Sequence, residues 1–445
     1  MHAESASARA SHAVVKTATA TAIILGCGVV TGLIAARSLG PTGRGQLAAI
    51  TVWASTLLYA GTFGLPESVA YFAAANPSLR PAVWSTAQVA AGALGLAVTA
   101  IGWVLLPVLF AGPANAVLAG WMQWYLLLFA VPCLLSLAAC SWLQGVGRLA
   151  AFNVSRTTVH LVNAAGFGLL WVAGDALVWH FACALLVGNA ATWLLATALG
   201  PRVIGANARP SLDLARRLFN YGFRVQVGNW SNAANVRLDQ LLLSLLAAPA
   251  SLGVYVVAVT YANVIMTLPG SAALVMLPQI VSEHRNGTAP VCMARWYRRT
   301  LWTSASAAAA IALSGVYLLP MLFGPGFEAA VPLLIFLAPA TVLLGMNQIL
   351  STAFRGIDRP GIGSAAETLG LVVTVVSLVA LLPRYGMYGA AIASLCAYGA
   401  SHAYLLVKAL AVFGADVRAL CIPTRADAEA VLRLLGNRTH AGALP

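Results

Sequence analysis

Charged side chains are scarce in this sequence. They make up 8% of its 445 residues, against 60% hydrophobic, and mean hydropathy is +0.85. A water-soluble chain of this size could not hide that much apolar surface, so a large soluble domain is excluded. Catalytic signatures are also missing. There is no Gly-rich phosphate loop ending in Lys-Ser or Lys-Thr, which excludes ATP hydrolysis of that type within the chain. No His-Glu-x-x-His, no Gly-x-Ser-x-Gly and no paired acidic cluster occurs either, and no enzyme activity is expected. The seven cysteines, at 27, 133, 140, 183, 292, 396 and 421, lack metal-ligand spacing and fall mostly within apolar runs. Packing is their expected role, with no metal and no cofactor.

What is present is a succession of apolar runs of membrane length, from Val14 to Phe413. Roughly 20 apolar residues in a helix cross the hydrocarbon of a bilayer. The runs predict an all-α polytopic membrane protein with twelve spanning helices. The first six cover about 14–36, 46–74, 83–111, 117–144, 149–173 and 176–199. The second six cover about 214–247, 253–281, 297–323, 327–354, 361–383 and 386–412. The run from about Ala13 to Ala36 reads as an uncleaved first span.

The net charge of +13 is spread over the segments between runs, as topology requires, and argues against a nucleic-acid partner. One side collects Arg9, Lys16, Arg80, Arg148, Arg202, Arg209, Arg216, Arg217, Arg285, Arg295, Arg298, Arg299, Arg355 and Arg359. The other has only Arg37, Arg44 and Arg384. The positive-inside rule then places both termini in the cytoplasm. Beyond Phe413, Arg425 to Leu435 reads as a short amphipathic helix on the cytoplasmic surface.

The two halves repeat. Leu105-Leu106-Pro107-Val108-Leu109-Phe110 returns as Leu318-Leu319-Pro320-Met321-Leu322-Phe323. Leu143-Gln144-Gly145-Val146-Gly147-Arg148 returns at almost the same offset as Phe354-Arg355-Gly356-Ile357-Asp358-Arg359. Six helices is an even number, so the second half enters from the same side and the repeats are parallel. The expected organisation is a tail over 1–13, a six-helix bundle over 14–200, a linker over 201–213, a second bundle over 214–413 and a tail over 414–445. Transporters built from such repeats bind substrate between the halves near the midplane.

Polar residues inside the spans are the candidate functional groups, because a charge at mid-bilayer costs at least about 2.5–3.5 kcal/mol. The seventh span carries Arg224, Asn232, Asn235 and Asp239 on one side, and Gln226, Asn229, Arg237 and Gln240 on the other. Either it lines a hydrated cavity or it forms an interhelical hydrogen-bond network. The fifth span presents Asn153, Arg156, His160 and Asn163 on one face. The repeat maps Arg156 onto Glu367, so the two face each other across a central cavity or pair locally. Glu67 follows the Gly64-Leu65-Pro66 break and either helps hold a cation or proton or caps a kink. His180 and His402 have the pattern of packed histidines. Arg37 and Arg44 flank the outer mouth and would attract anions.

Ala36-Arg37-Ser38-Leu39-Gly40-Pro41-Thr42-Gly43-Arg44-Gly45-Gln46 resembles a signature of bacterial polysaccharide, or O-antigen, repeat-unit flippases. Leu47 stands where an aromatic is common. Val236-Arg237-Leu238-Asp239-Gln240-Leu241, Leu252-Gly253-Val254-Tyr255 with Leu277-Pro278, Leu322-Phe323-Gly324-Pro325-Gly326-Phe327 and Tyr385-Gly386-Met387-Tyr388-Gly389 are similar to further motifs of that group. The resemblance covers about residues 14–413. It implies the multidrug/oligosaccharidyl-lipid/polysaccharide (MOP) exporter superfamily, with two six-helix bundles around a V-shaped cavity working by alternating access.

It also implies transfer of polyprenyl-diphosphate-linked oligosaccharide across a bacterial cytoplasmic membrane for surface polysaccharide synthesis, with polymerase and chain-length proteins as partners. Lipid-II flippases have two more helices than the twelve expected here, which argues against lipid II as the substrate. The substrate contacts expected are Arg224, Arg237, Arg156, Asn229, Asn232, Asn235, Arg37 and Arg44. Asp239, Glu67 and Glu367 are the candidates for ion coupling. A multidrug or small-molecule antiporter on the same scaffold is the alternative. A membrane-embedded polysaccharide polymerase or ligase ranks below both, because no long outer loop is predicted to hold an acceptor.

Overall fold

Apolar side chains in runs this long leave the backbone one way to satisfy itself in lipid, which is to bond within its own helix. The computed structural model describes the backbone of residues 2–111, 116–174, 176–200, 209–414 and 416–422. The side chains of 2–18, 227–229, 231–233, 417 and 419 lie outside the described set. All regular structure among the described residues is helical. In order the helices are α1 (His2–Ala60), α2 (Leu65–Ala75), α3 (Arg80–Leu109), α4 (Ala116–Gly145), α5 (Leu149–Ala173), α6 (Val178–Leu199) and α7 (Leu212–Leu246). They continue as α8 (Pro249–Ala262), α9 (Thr267–Arg285), α10 (Ala289–Phe323), α11 (Leu334–Gly356), α12 (Pro360–Phe413) and α13 (Val417–Cys421).

Among the described residues, eight helical stretches are long and apolar enough to cross a membrane. They are Thr19–Ala60, Pro77–Leu109, Ala116–Gly145, Val178–Leu199, Pro249–Arg285, Ala289–Phe323, Leu334–Gly356 and Pro360–Phe413. Many large apolar side chains face outward, among them Val172 at 89% exposure and Leu274 at 80%. Such a surface is stable only against lipid, and the chain is a multi-pass membrane protein.

The boundaries differ from the sequence expectation where Gly and Pro fall inside helices. The first span begins at His2, well before residue 14. Expected loops near residues 37–45 and 384–385 are single non-helical residues instead. Gly40 has φ 62° and ψ −176° just before Pro41, and Gly386 has φ 53° and ψ −130° three residues after Pro383. Glycine reaches these angles without a Cβ penalty, so helix resumes at once on either side. The expected second span breaks at 61–64 and the expected eighth at a 3-10 turn, Asn263–Met266. The amphipathic helix expected over 425–435 lies outside the described residues.

The chain divides into two compact units. One holds residues 1–257 with 320–328, and the other holds 258–319 with 329–445. α7 therefore packs with the first unit. There the core gathers Trp142, Phe181, Met122, Leu126, Leu134 and Leu143, each under 2% exposed. The Trp142 indole donates to the Arg80 carbonyl at 3.0 Å. The second unit packs α9, α11 and α12 around Met276, Ile280, Met346, Ile349, Leu350 and Phe354.

A closed polar chain crosses the core of the second unit. Tyr297 Oη and His402 Nε2 are 2.9 Å apart. His402 Nδ1 and Asn347 Oδ1 are also 2.9 Å apart. Asn347 Nδ2 donates to the Tyr398 carbonyl at 3.1 Å. Since the Asn347 oxygen only accepts, His402 carries its proton on Nδ1 and accepts from the Tyr297 hydroxyl.

Candidate functional site

The most polar helix of the chain, α7, is held by ordinary local signals. Ser211 caps it by accepting from the Leu214 amide, Asp213 lies in its first turn, and Asp213 pairs with Arg217 at 2.9 Å on the exposed face. Pro249 follows its end and opens α8. A negative charge in the first turn is favourable against the helix dipole.

Within the first unit, α7 lies against the break between α1 and α2. Gly64 (φ 69°) and Gly222 touch backbone to backbone, and a Cβ on either would overlap the other's carbonyl. Phe63, the residue before, is held at φ 47°, and its ring meets Trp230 of α7 edge-on with centroids 6.1 Å apart. The turn frees the Tyr59 carbonyl from the helix ladder. That oxygen accepts from Thr62 Oγ1 at 2.9 Å and from Gln226 Nε2 of α7 at 3.0 Å. An interrupted helix thus regains its lost partner from a neighbour.

The polar face of α7 continues along α1. Arg237 Nη1 donates to Ser55 Oγ, and Trp53 Nε1 donates to Ser244 Oγ at 2.8 Å. Tyr59 lies close enough to Glu67 and Arg237 to feel both charges. Glu67 is half-buried in the first turn of α2, where the helix dipole favours a carboxylate. The structure therefore brings together a phenol, a carboxylate and a guanidinium beside a helix break. Arg224 is exposed on α7.

The other predicted residues are distributed as follows. Asp239 is buried at 6% exposure and accepts from the Tyr255 hydroxyl of α8 and from the Gln240 amide at 2.7 Å. Asn235 is buried one turn earlier. The side chains of Asn229 and Asn232 lie outside the described residues.

On α5 the predicted stripe divides between two neighbours. Arg156 donates to Thr21 Oγ1 of α1 at 2.9 Å and sits 5.6 Å from the Phe152 ring, with His160 near enough to feel its charge. Asn163 instead lies against Gly188 of α6, where a Cβ would meet its Oδ1. Glu367 is half-buried on α12 in the second unit.

Arg37 is engaged structurally. Its Nε donates to the Leu322 carbonyl at 2.7 Å and its Nη2 to the Met321 carbonyl, capping the last turn of α10. Arg44 lies within α1, four residues past Gly40. Its Nε is sealed from solvent without a hydrogen-bond partner, while the rest of the side chain is partly exposed.

Tyr59, Ser55 and Tyr255 complete these contacts and were not predicted. Tyr255 ends a motif singled out in the sequence. Tyr59 and Ser55 carry no pattern of their own. Among the described residues, no group of three or more His, Cys, Asp or Glu gathers to hold a metal.

Residues 13–284 match the profile of a family described as "Polysaccharide biosynthesis protein". A curated relative, the probable low-salt glycan biosynthesis flippase Agl15 of Haloferax volcanii, is 23% identical over 68% of this chain and 65% of its own length. An uncharacterized membrane protein of Methanocaldococcus jannaschii, MJ1068, is 24% identical over 42% of this chain and 38% of its own. The chain thus spans less than two thirds of the length of either curated relative.

Among solved structures, the inward closed conformation of the lipid II flippase MurJ superposes with a TM-score of 0.75 at 14% identity, covering 88% of this chain and 87% of that one. An inward-facing multidrug resistance MATE family transporter of the MOP superfamily superposes with a TM-score of 0.69 at 14% identity, covering 90% and 98%. At such identities these likenesses establish the fold.

Proposed function

Because this chain belongs to the polysaccharide biosynthesis protein family, we propose that it is a flippase carrying polyprenyl-diphosphate-linked oligosaccharide across a bacterial cytoplasmic membrane. It works by alternating access and supplies surface polysaccharide synthesis. It is a transporter of the MOP superfamily and not an enzyme. The observation that carries the substrate reading is the cluster at the α1–α2 break. Arg237 is held by Ser55 beside Tyr59 and Glu67, on the helix that also exposes Arg224.

A diphosphate and sugar hydroxyls cannot cross hydrocarbon unaided. Guanidinium groups offer charge-assisted bonds to the diphosphate, and amides and hydroxyls bond the sugar. Arg224, Arg237 and Arg156 take the anion, and Asn229, Asn232 and Asn235 take sugar or water. Glu67, Asp239 and Glu367 carry the coupling ion or set the arginines. The polyprenyl tail stays in lipid.

Two of the eight apolar stretches, Thr19–Ala60 and Pro360–Phe413, are divided by Gly40 and Gly386. Reading each as two passes, and adding the long but more polar α5 and α7, we count twelve crossings. On that count we propose two parallel six-helix bundles with both termini in the cytoplasm. Polymerase and chain-length proteins are the expected partners.

The test is reconstitution of the full chain in vesicles with a short-chain polyprenyl-diphosphate sugar bearing a fluorophore. Protein-dependent arrival of the sugar at a membrane-impermeant quencher, with no new glycosidic bond, supports the flippase. The similarity to a multidrug MATE transporter favours a second reading, export of organic cations. Uptake of a cationic dye against its gradient, with no movement of the lipid-linked sugar, would establish that reading instead.

A further inference from the structure

Around Gly40, at the turn between the two halves of α1, lies a set of contacts that the α7 cluster does not use. Arg37, just before the turn, donates from Nε to the Leu322 carbonyl at 2.7 Å and from Nη2 to the Met321 carbonyl. The last carbonyls of a helix have no partner within it, and a guanidinium meets both that need and the negative end of the helix dipole. The segment so held packs unusually. Residues 320–328 belong to the first unit, although the chain before and after them belongs to the second. Gly326, on this tab, rests on the Pro41 ring, where an added Cβ would come within 3.0 Å of Cγ.

A second contact adjoins the first. Pro41-Thr42-Gly43-Arg44-Gly45 opens the second half of α1, and Pro249-Ala250-Ser251-Leu252-Gly253 opens α8. Each begins the second apolar run of its sequence repeat, with proline and glycine four residues apart. The two segments cross backbone to backbone, and they do so reciprocally. A Cβ on Gly45 would overlap the Pro249 carbonyl, and one on Gly253 would overlap the Pro41 carbonyl. Mutual pairing of equivalent residues is the mark of a two-fold contact. Both glycines are buried, and the whole crossing lies within the first unit. Pro41 takes part in both contacts, so the tab and the crossing form one assembly.

These contacts are of a kind that can part. Arg37 is exposed, so water can take over its bonds, whose net worth is small for that reason. Paired glycines bring two backbones together without side chains that interlock. Alternating access requires the repeats to separate at the end where cargo leaves. We infer that Arg37, the tab 320–328 and the glycine crossing form a latch that closes the outer side of the transport path and opens once in each cycle. Arg37 is then a gate residue and not a contact for the cargo. The inference rests on the flippase reading for its place in a transport cycle, and on cytoplasmic termini for its side of the membrane, since the Gly40 turn follows the first crossing.

The experiment uses the full chain carrying both P41C and G326C in the vesicle assay above, with transport read relative to each single variant under the same oxidant. Removing the proline ring clears space for the second thiol, and the closeness of the two positions suits a disulfide. The expected result is that oxidation closes the bridge and blocks transport, and that reduction restores it. Adding R37Q should slow closure of the bridge at least about threefold, because the tab then spends more time away. R37K should fall between, keeping the charge and losing the fork. R37Q alone should keep wild-type affinity for the short-chain polyprenyl-diphosphate sugar, measured by thermal stabilisation, whereas a loss of about tenfold or more would return Arg37 to the cargo contacts and overturn its part in the latch.

A bridge that forms and leaves transport unchanged overturns the latch and makes the contact a permanent seam. Failure of the pair to close, with oxidant or with a short bifunctional thiol reagent, overturns it too. Should the double variant fail to fold, R37C with L322C takes its place, joined by a thiol reagent as long as the arginine side chain it replaces. The same block is expected there, and unimpaired transport overturns the proposal. If the sugar is flipped equally before and after bridging, the latch fails and the flippase reading stands. If no sugar moves, and bridging blocks uptake of the cationic dye, the flippase reading fails and the latch stands. If wild type moves neither cargo, both fall.

Discussion

The two units treat buried polarity in opposite ways. In the second, Tyr297, His402 and Asn347 form a chain whose members satisfy one another and which ends on the Tyr398 carbonyl. In the first, the polar groups of α7 are tied unevenly, and Asp239 accepts from Tyr255 of α8. Gln226 and Arg237 reach α1, while Arg224 remains exposed and Arg44 is unpaired among the described residues. A closed network lowers the energy of one structure and has nothing left to offer a ligand. An open one keeps donors in reserve at a cost in stability. The contrast supports the proposal that the first cluster, and not the second, meets the cargo.

Substitutions can break that contrast, and the largest effect should come from the contact that positions the open cluster. Gly222→Val would drive a side chain into the Gly64 carbonyl, and no folded protein should accumulate in the membrane, as immunoblotting of membrane fractions would report. Next, Arg224→Ala and Arg237→Ala should each abolish polymer export while the protein stays at normal levels in the membrane. Wild-type export by both would move the work away from α7.

His402→Phe should do the reverse. It strands Tyr297 and Asn347 in the core, costing on the order of 2–4 kcal/mol, so the melting temperature should fall while transport per folded molecule is unchanged. The smallest effect is expected from Ser55→Ala, which removes one of the supports of Arg237. A two- to tenfold fall in transport rate, about 0.5–1.5 kcal/mol, is the expected size. An unchanged rate would show that Arg237 finds its place without α1.

Much of the fold could be read in the sequence because lipid imposes a single rule on apolar runs. The runs predicted membrane-length helices, and the Gly-Pro positions predicted interruptions. The interruptions at Gly40 and Gly386 were overestimated as loops, because sequence alone does not show how little chain glycine needs to leave helical geometry. The site was legible only as a set of residue types. Arg37 had the look of an anion contact, yet it caps a helix end 285 positions away. The α5 stripe looked uniform, yet Arg156 and Asn163 turn to different neighbours. Helical spacing assigns a face, and the identity of what packs on that face comes from distant sequence. Arg44 shows the same limit from the other direction, since a missing partner has no sequence signature.

Phe63 has a further consequence. A residue with a Cβ held at φ 47° sits about 1–3 kcal/mol uphill of its preferred backbone state. It remains there because Trp230 braces its ring and the Gly222 backbone of α7 is pressed against the next residue, Gly64. Were α7 to withdraw, that joint would relax like a released spring. A reporter label near position 63 would then read out whether the seventh helix is seated, independently of any cargo.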